Sequence, residues 1–245
     1  MSEVIYGKNS LLEALRSNPS GDYFEVVYLL KEDKDVISLC DNSKVKYKVI
    51  NKDKFLNVLK DKKLDNVNHQ GYLGVVKSYE YYNLSDIVSS EDDSLIVALD
   101  GLEDPHNLGA IIRTCEISGA SGVIIPKNRS VKVTPTVEKV STGATRFVKV
   151  ALVTNLVSSL KELKKQGYWI VGAEASDKSI SYWLPDYKRK VCLVVGSEGF
   201  GVSRLVKEEC DYLVEIPMWG RVNSLNASVA CGILIYEIRR QQRNK

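Results

Sequence analysis

Apolar residues along this chain fall into two rhythms. Short unbroken or alternating runs predict strands: "YFEVVYLL", "VKYKVI", "SLIVALD", "GVIIP", "FVKVAL", "YWIVGAEA", "VCLVVG" and "YLVEIPM". Runs with apolar residues three and four apart predict helices: "NSLLEALRS", "DKDVISLC", "DKFLNVLK", "NLGAIIRTCEISG", "TPTVEKVSTG", "LVSSLKELKKQG", "VSRLVKEEC" and a long final "NSLNASVACGILIYEIRRQQ". In the first helix, Ser10 and Glu13 stand at capping-box spacing, with Leu11, Leu12 and Leu15 on an apolar face. Strand and helix alternate through residues 1–77, where "HQGYLGVVK" closes with a turn and a short strand, and the alternation restarts at Ser94. The expectation is an α/β protein: a small α/β domain over 1–77, a linker over 78–93, and a larger domain over 94–245 with a parallel sheet covered on both faces. The linker expectation rests on "SYEYYNLSDIVSSEDD", which is acidic, serine-rich and weakly periodic.

Charge sharpens this division. Residues 1–77 hold 13 basic and 11 acidic residues, 78–93 hold 5 acidic and no basic ones, and 94–245 hold 21 basic and 15 acidic ones. The basic excess on the flanking segments permits an acidic polymer as partner but does not establish one, and ordinary solvated lysines are the default reading of charge alone. With 245 residues, 44% hydrophobic and 27% charged, the chain can bury a real core. No apolar run approaches the length of a membrane span and no signal pattern opens the chain, so no membrane association is expected. Five scattered cysteines without a CxxC pair read as reduced thiols of a cytoplasmic protein. His69 and His106 are the only histidines and read as turn or loop residues, so no metal site is expected.

Three segments of the second half place isolated polar residues and glycines at the ends of predicted strands. In "LDGLEDPHNLGAIIRT", Asn107 can cap a helix, and Arg113 is either a surface cation or a group for a phosphate or a reacting hydroxyl. In "GSEGFG", the glycines Gly196, Gly199 and Gly201 do not have the dinucleotide spacing, and no GK[ST] follows. It is either a sharp turn with an exposed Glu198 or a backbone grip on a ligand not dominated by phosphate. S-adenosylmethionine, a neutral nucleoside with an amino-acid tail and a cationic sulfonium, fits the second alternative. In "EIPMWGRVNSLNASVA", Ser224, Asn226 and Ser228 open the last helix, where one is an ordinary cap and several suggest hydrogen bonding to a ligand. Asn107, Glu198 and Asn226 all fall at C-terminal strand ends, where open α/β sheets bind ligands. No GxSxG elbow is present.

In order, "DPHNLGAIIRT", "GSEGFG" and "IPMWGRVNSLNASVA" resemble the SpoU/TrmH family of RNA ribose 2'-O-methyltransferases, in the SPOUT superfamily, over about residues 94–243. The N-terminal "IYGKNSLLEALRS" and "HQG" resemble the small substrate-binding domain of the family's ribosomal RNA branch. The resemblance implies a C-terminal trefoil-knotted parallel-sheet domain, S-adenosyl-L-methionine as cofactor, a homodimer, and methylation of a guanosine ribose in 23S rRNA. A tRNA ribose methyltransferase and an antibiotic-resistance rRNA methyltransferase are the alternatives within the chemistry. A non-catalytic RNA-binding assembly protein is the alternative outside it. By matching motif position, Asn107, Arg113, Glu198, Ser224 and Asn226 carry the family's functional polar set. Gly196, Gly199, Ile216, Pro217, Met218 and Leu225 carry its cofactor contacts. The family's proposed base matches Arg113, which suits phosphate binding and polarisation of the hydroxyl better, because arginine is normally protonated. The chemistry requires no metal, since a sulfonium is already an activated leaving group. Trp219 receives no role.

Overall fold

The computed structural model describes residues 4–19, 21, 23–62, 64, 67–221 and 224–243, which form two compact units divided between Glu80 and Tyr81.

The first unit runs β1 (Val4–Tyr6), α1 (Lys8–Ser17), β2 (Phe24–Leu29), α2 (Lys34–Asn42), β3 (Tyr47–Val49), α3 (Lys52–Asp61) and β4 (Tyr72–Val76). Its four strands lie in the order β1-β4-β2-β3, antiparallel except for the β2–β3 pair. Period-two alternation in β2 sends side chains to both faces. Val27 and Leu29 pack with Leu11 and Leu15 of α1 and Val36 and Cys40 of α2, while Tyr28 packs with Phe55 and Leu59 of α3. Asp33 caps α2 by accepting from the backbone amides of Asp35 and Val36, and Asn51 caps α3 through Lys54. The box expected at Ser10 and Glu13 is not what starts α1. That helix begins at Lys8 behind Gly7, whose φ of 85° a side chain would strain, and Ser10 already lies inside the helix.

The second unit begins inside the stretch expected to be a linker, and from Tyr81 onward that expectation is corrected. Tyr82 bridges to Ala151, Leu84–Asp86 form a 3-10 turn, and Ile87 is buried in the core. The amide of Ser89 donates to the hydroxyl of Tyr168 at 3.1 Å. Leu84, Ile87 and Val88, set among polar residues, gave too weak a rhythm to read as packed structure.

The unit continues with β5 (Leu95–Asp100), α4 (Pro105–Ile117), β6 (Gly122–Pro126), α5 (Pro135–Val140), β7 (Val150–Val153), α6 (Leu156–Lys165) and β8 (Trp169–Ala173). Then come β9 (Ile180–Ser181), β10 (Val191–Gly196), α7 (Arg204–Lys207), β11 (Tyr212–Glu215) and α8 (Ala227–Arg243). Seven strands pair in the order β7-β6-β5-β10-β8-β11-β9, all parallel. Residues 95–99 and 191–194 are each fully buried in unbroken runs, as strands covered on both faces require. One face carries Leu156, Leu160 and Leu163 of α6 with Val206 of α7. Leu108, Ile111, Ile112 and Cys115 of α4 and Cys231, Leu234, Ile235 and Ile238 of α8 are also buried, and these two helices pack on each other.

The arrival of β10 between β5 and β8 positions the site. The chain steps outward from β5 through β6 to β7, crosses to β8, and returns to fill the gap beside β5. The loops after β8, β10 and β11 therefore converge at the carboxyl edge of the sheet, where crevices open in folds of this kind.

All five cysteines are free thiols. Burial pushes Cys40 up to about 11 and both Cys210 and Cys231 up to about 12, so each is a packed, unreactive thiol at neutral pH. Among the described residues, no helix is long and apolar enough to cross a membrane, and no cluster of histidine, cysteine and carboxylate side chains has metal-binding form.

Candidate active site

The loop after β10 owes its shape to its glycines. The amides of Ser197 and Gly201 each donate to the other's carbonyl, at 3.2 and 3.0 Å, folding residues 197–201 back on themselves. A side chain on Gly196 would put its Cβ 2.0 Å from the carbonyl carbon of Gly201. Gly199 and Gly201 adopt φ of 89° and 64°, and a Cβ on Gly201 would collide with Glu174. Glu174, just past β8, fastens this loop. Its carboxylate accepts from the amide of Val202 at 3.0 Å and pairs with Lys207. Asp100, at the end of β5, accepts from the amide of Ser203 at 2.7 Å.

Beside the loop lies a cavity of about 440 Å³, lined by the ends of β8, β10 and β11 and the start of α8. Val195, Ile216, Leu225, Ala230 and Leu234 give it apolar walls. Among the described residues, Glu174, Glu198 and Glu215 are its charged lining residues, and no lysine or arginine lines it. That charge set disfavours a pyrophosphate and suits a cationic ligand with a neutral nucleoside. The volume lies in the usual range for a small-molecule site. The residues present therefore fit S-adenosyl-L-methionine. Gly196, Gly199, Ile216, Met218 and Leu225 all line the cavity, whereas Pro217, expected alongside them, does not.

Three of the predicted polar residues meet at one point. The side-chain amide of Asn107 donates to Glu198 Oε1 at 2.6 Å. Asn226 Nδ2 donates to Asn107 Oδ1 at 2.9 Å and to the same Glu198 oxygen at 3.2 Å. Asn226 Oδ1 in turn accepts from the amides of Ser228 and Val229, at 3.0 and 3.3 Å, and from the Ser228 hydroxyl at 2.6 Å. Asn226 thus caps α8 with its oxygen while its nitrogen closes the cluster. Asn107 does not cap α4 as the sequence suggested. Asp104 does so, accepting from the amide of His106, and Asn107 sits one turn inside with its side chain buried. An amide there is tolerable because both of its polar atoms are used.

Ser224 also lines the cavity and is exposed. Arg113 is not brought into this cluster. It projects from the exposed side of α4, outside the lining of its own chain's cavity. Val222 and Asn223 of the third motif lie outside the described residues. Sequence reasoning missed Glu174, whose only signal was an acidic residue directly after a strand of the same sheet.

Comparisons with known proteins agree with this geometry. The model of the SpoU rRNA Methylase family matches residues 94–236, and that of RNA 2'-O ribose methyltransferase substrate binding matches residues 4–82. The chain is similar to a Staphylococcus haemolyticus protein assigned to the TrmH family of tRNA/rRNA methyltransferases, with 42% identity over 98% of this chain and 96% of the other. Among solved structures it is similar to an AdoMet-bound rRNA methyltransferase from Sinorhizobium meliloti, with 26% identity, a TM-score of 0.64, and coverage of 98% of this chain and 87% of that one. It is also similar to an A. aeolicus TrmH/SpoU tRNA modifying enzyme, with 34% identity, a TM-score of 0.58, and coverage of 66% of this chain and 81% of that one. With family models matching both units and a cavity, lined by the second and third motifs, that suits a sulfonium nucleoside, this chain is a member of the SpoU rRNA Methylase family, an S-adenosyl-L-methionine-dependent RNA ribose-2'-O-methyltransferase.

Proposed function

We propose that the protein methylates the ribose 2'-oxygen of a guanosine in 23S rRNA, as a cytoplasmic homodimer. The observation that carries this reading is the Asn107–Glu198–Asn226 cluster at the cavity, which ties α4, the β10 loop and α8 together beside the cofactor residues. Support for ribosomal rather than transfer RNA comes from the first unit. The rRNA methyltransferase from S. meliloti aligns over 98% of this chain, whereas the tRNA modifying enzyme aligns over 66%. The family's trefoil knot belongs to the same proposal. What supports it is the family membership, with which a late strand inserted between two earlier ones and the return of Asn226 to Asn107 agree.

The division of labour follows from the residues. Bound S-adenosyl-L-methionine supplies a methyl group already activated by the sulfonium. Gly196, Gly199, Ile216, Met218 and Leu225 hold the nucleoside, with Pro217 fixing the backbone between two of them. Glu198, kept in place by two amide donors and paired with no cation among the described residues, offers a negative charge to a cationic centre. Asn107 and Asn226 orient that carboxylate, and Ser224 offers a hydroxyl to the ribose. A guanidinium stays protonated at working pH, so Arg113 acts by binding the target phosphate and donating to the 2'-oxygen as negative charge develops. The proton leaves to solvent.

Arg113 reaches a cavity across the dimer interface in this reading. It shares a stripe of α4 with Ile117, and Val229 and Tyr236 share a stripe of α8. Ile117, Val229 and Tyr236 are large apolar side chains left 61%, 49% and 53% exposed, an unusual concentration for a free surface. Packing two copies through this face covers them and carries each Arg113 toward its partner.

The test is transfer of labelled methyl from S-adenosyl-L-methionine into unmodified 23S rRNA and, separately, into bulk tRNA. Alkali-resistant label in 23S rRNA alone is the expected result. Label in tRNA alone would overturn the substrate assignment and keep the chemistry. No label and no cofactor binding would leave a non-catalytic RNA-binding protein.

A further inference from the structure

Two aromatic side chains at this site are almost wholly exposed. Phe200 is 91% exposed on the loop after β10, and Trp219 is 90% exposed on the loop after β11. Phe200 lines the cavity, as does Met218, the residue before Trp219. Leaving rings of this size in water is unfavourable without a partner. Neither belongs to the α4–α8 face. Each is set among small residues: Phe200 lies between Gly199 and Gly201, and Gly220 with exposed Arg221 follows Trp219. A protein partner usually buries a contiguous apolar patch, whereas isolated rings on open glycine loops present flat faces. Flat faces at the edge of the cofactor cavity suit nucleobases, and the exposed Arg221 two residues after Trp219 suits the phosphate that accompanies them.

We propose that Phe200 and Trp219 form a stacking platform for unstacked nucleobases of the substrate RNA, at or next to the modified nucleotide. This deepens the ribose-methylation reading and rests on it. A ribose whose 2'-oxygen is attacked at the cavity brings its own base, and those of its neighbours, within one nucleotide of the flanking loops. Duplex RNA cannot offer a base face to a side chain, so the platform selects a nucleotide in a loop or bulge. The rings touch substrate and take no part in the methyl transfer.

The experiment compares the full-length wild type with Trp219→Ala, Trp219→Phe, Trp219→Leu and Phe200→Ala. It measures KM and kcat on unmodified 23S rRNA, S-adenosyl-L-methionine affinity by calorimetry, and oligomeric state by sedimentation. Trp219→Ala is expected to raise the KM for RNA by about 5- to 150-fold, the range of one lost base stack, with cofactor affinity unchanged. Phe200→Ala should raise the same KM. Trp219→Phe should recover most of the loss and Trp219→Leu little, because a π face is required rather than apolar bulk. Equal recovery by leucine would overturn the proposal, as would dissociation of Trp219→Ala into monomers, which would make the ring a subunit contact. An unchanged KM in both alanine variants would also overturn it. A wild type that binds the cofactor and methylates no RNA would instead remove the functional reading, and the platform with it.

Discussion

Asn107 and Glu198 stand 91 residues apart in the chain and 2.6 Å apart in space, joined through one hydrogen bond from an amide to a carboxylate oxygen. Asn107 is buried on a rigid helix, and Glu198 is exposed on a glycine loop. The rigid partner therefore sets the position of the flexible one. Asn107→Ala should free Glu198 and the loop together, weakening cofactor binding and methyl transfer. It should also cost about 0.5–1.5 kcal/mol of stability, the usual net range for a lost hydrogen bond, because the partners left behind are exposed to water. Asn107→Asp should be worse than Asn107→Ala for activity, because it sets a second carboxylate against Glu198. Calorimetric titration with the cofactor and thermal unfolding check both; a wild-type affinity in Asn107→Asp would refute the positioning role.

Arg113→Ala should abolish turnover at saturating RNA and leave cofactor affinity unchanged, since Arg113 lies outside the cavity lining. Lysine should rescue poorly, because it lacks the planar fork that binds a phosphate and a hydroxyl at once. Mixed dimers report which subunit supplies the arginine. If it crosses the interface, Arg113→Ala and Glu198→Ala chains co-assembled at random should regain about a quarter of wild-type activity, through one intact site per mixed dimer. No recovery would place Arg113 and Glu198 of one chain at the same site.

Gly196→Ala should eliminate cofactor binding. The new methyl group would overlap the backbone of Gly201, with no flexible side chain to give way. Gly199→Ala meets open space but has a φ of 89°, so its defect should be smaller and come from backbone strain alone. Ranking the two by dissociation constant tests whether the loop's fold or its surface matters more.

In the first unit, Asp33 accepts from Tyr72 at 2.7 Å and pairs with Lys8 at 2.6 Å. The Lys8 ammonium and then the Tyr72 hydroxyl hold its carboxyl down at about 2. A carboxylate held below its unfolded value stabilises the folded state fully above about pH 4, and that contribution is lost as pH falls from there toward about 2. Thermal unfolding of the wild type should therefore weaken over that window. Asp33→Asn should flatten the acid limb while lowering stability at neutral pH, by a modest amount because Lys8 is partly exposed. An unchanged acid limb would show that the cluster adds nothing.

Much of this was legible in the chain. Fully apolar runs such as "SLIVALD" and "VCLVVG" could only be strands covered on both faces, and they are β5 and β10. What periodicity cannot carry is the order in which strands pair, and nothing local distinguishes Cys192 beside Ile96 from any other neighbour. The same limit explains Asn107. Beside a helix start it looks like a cap, because Asn is a good one, and its burial depends on a loop 91 residues away. Ile87 fails for the opposite reason: a few apolar residues scattered in an acidic, serine-rich stretch make no pattern, yet it fills a pocket beside Gly122. The two-residue β9 was too short to leave a rhythm.

The insertion of β10 has a consequence for how the protein is made. As the chain emerges from the ribosome, β5, β6 and β7 can assemble, but β8 has no partner in the sheet until residues 191–196 appear. For that interval both sides of the future gap are bare strand edges, which invite pairing with other chains. Parallel pairing between distant segments is also slow, because the loop must close before any contact rewards it. Every described lining residue of the cofactor cavity lies at the end of β8, β10 or β11 or later in the chain. The catalytic centre thus cannot exist before these late-arriving segments do, and the nascent protein cannot bind its cofactor until the start of α8 has been synthesised.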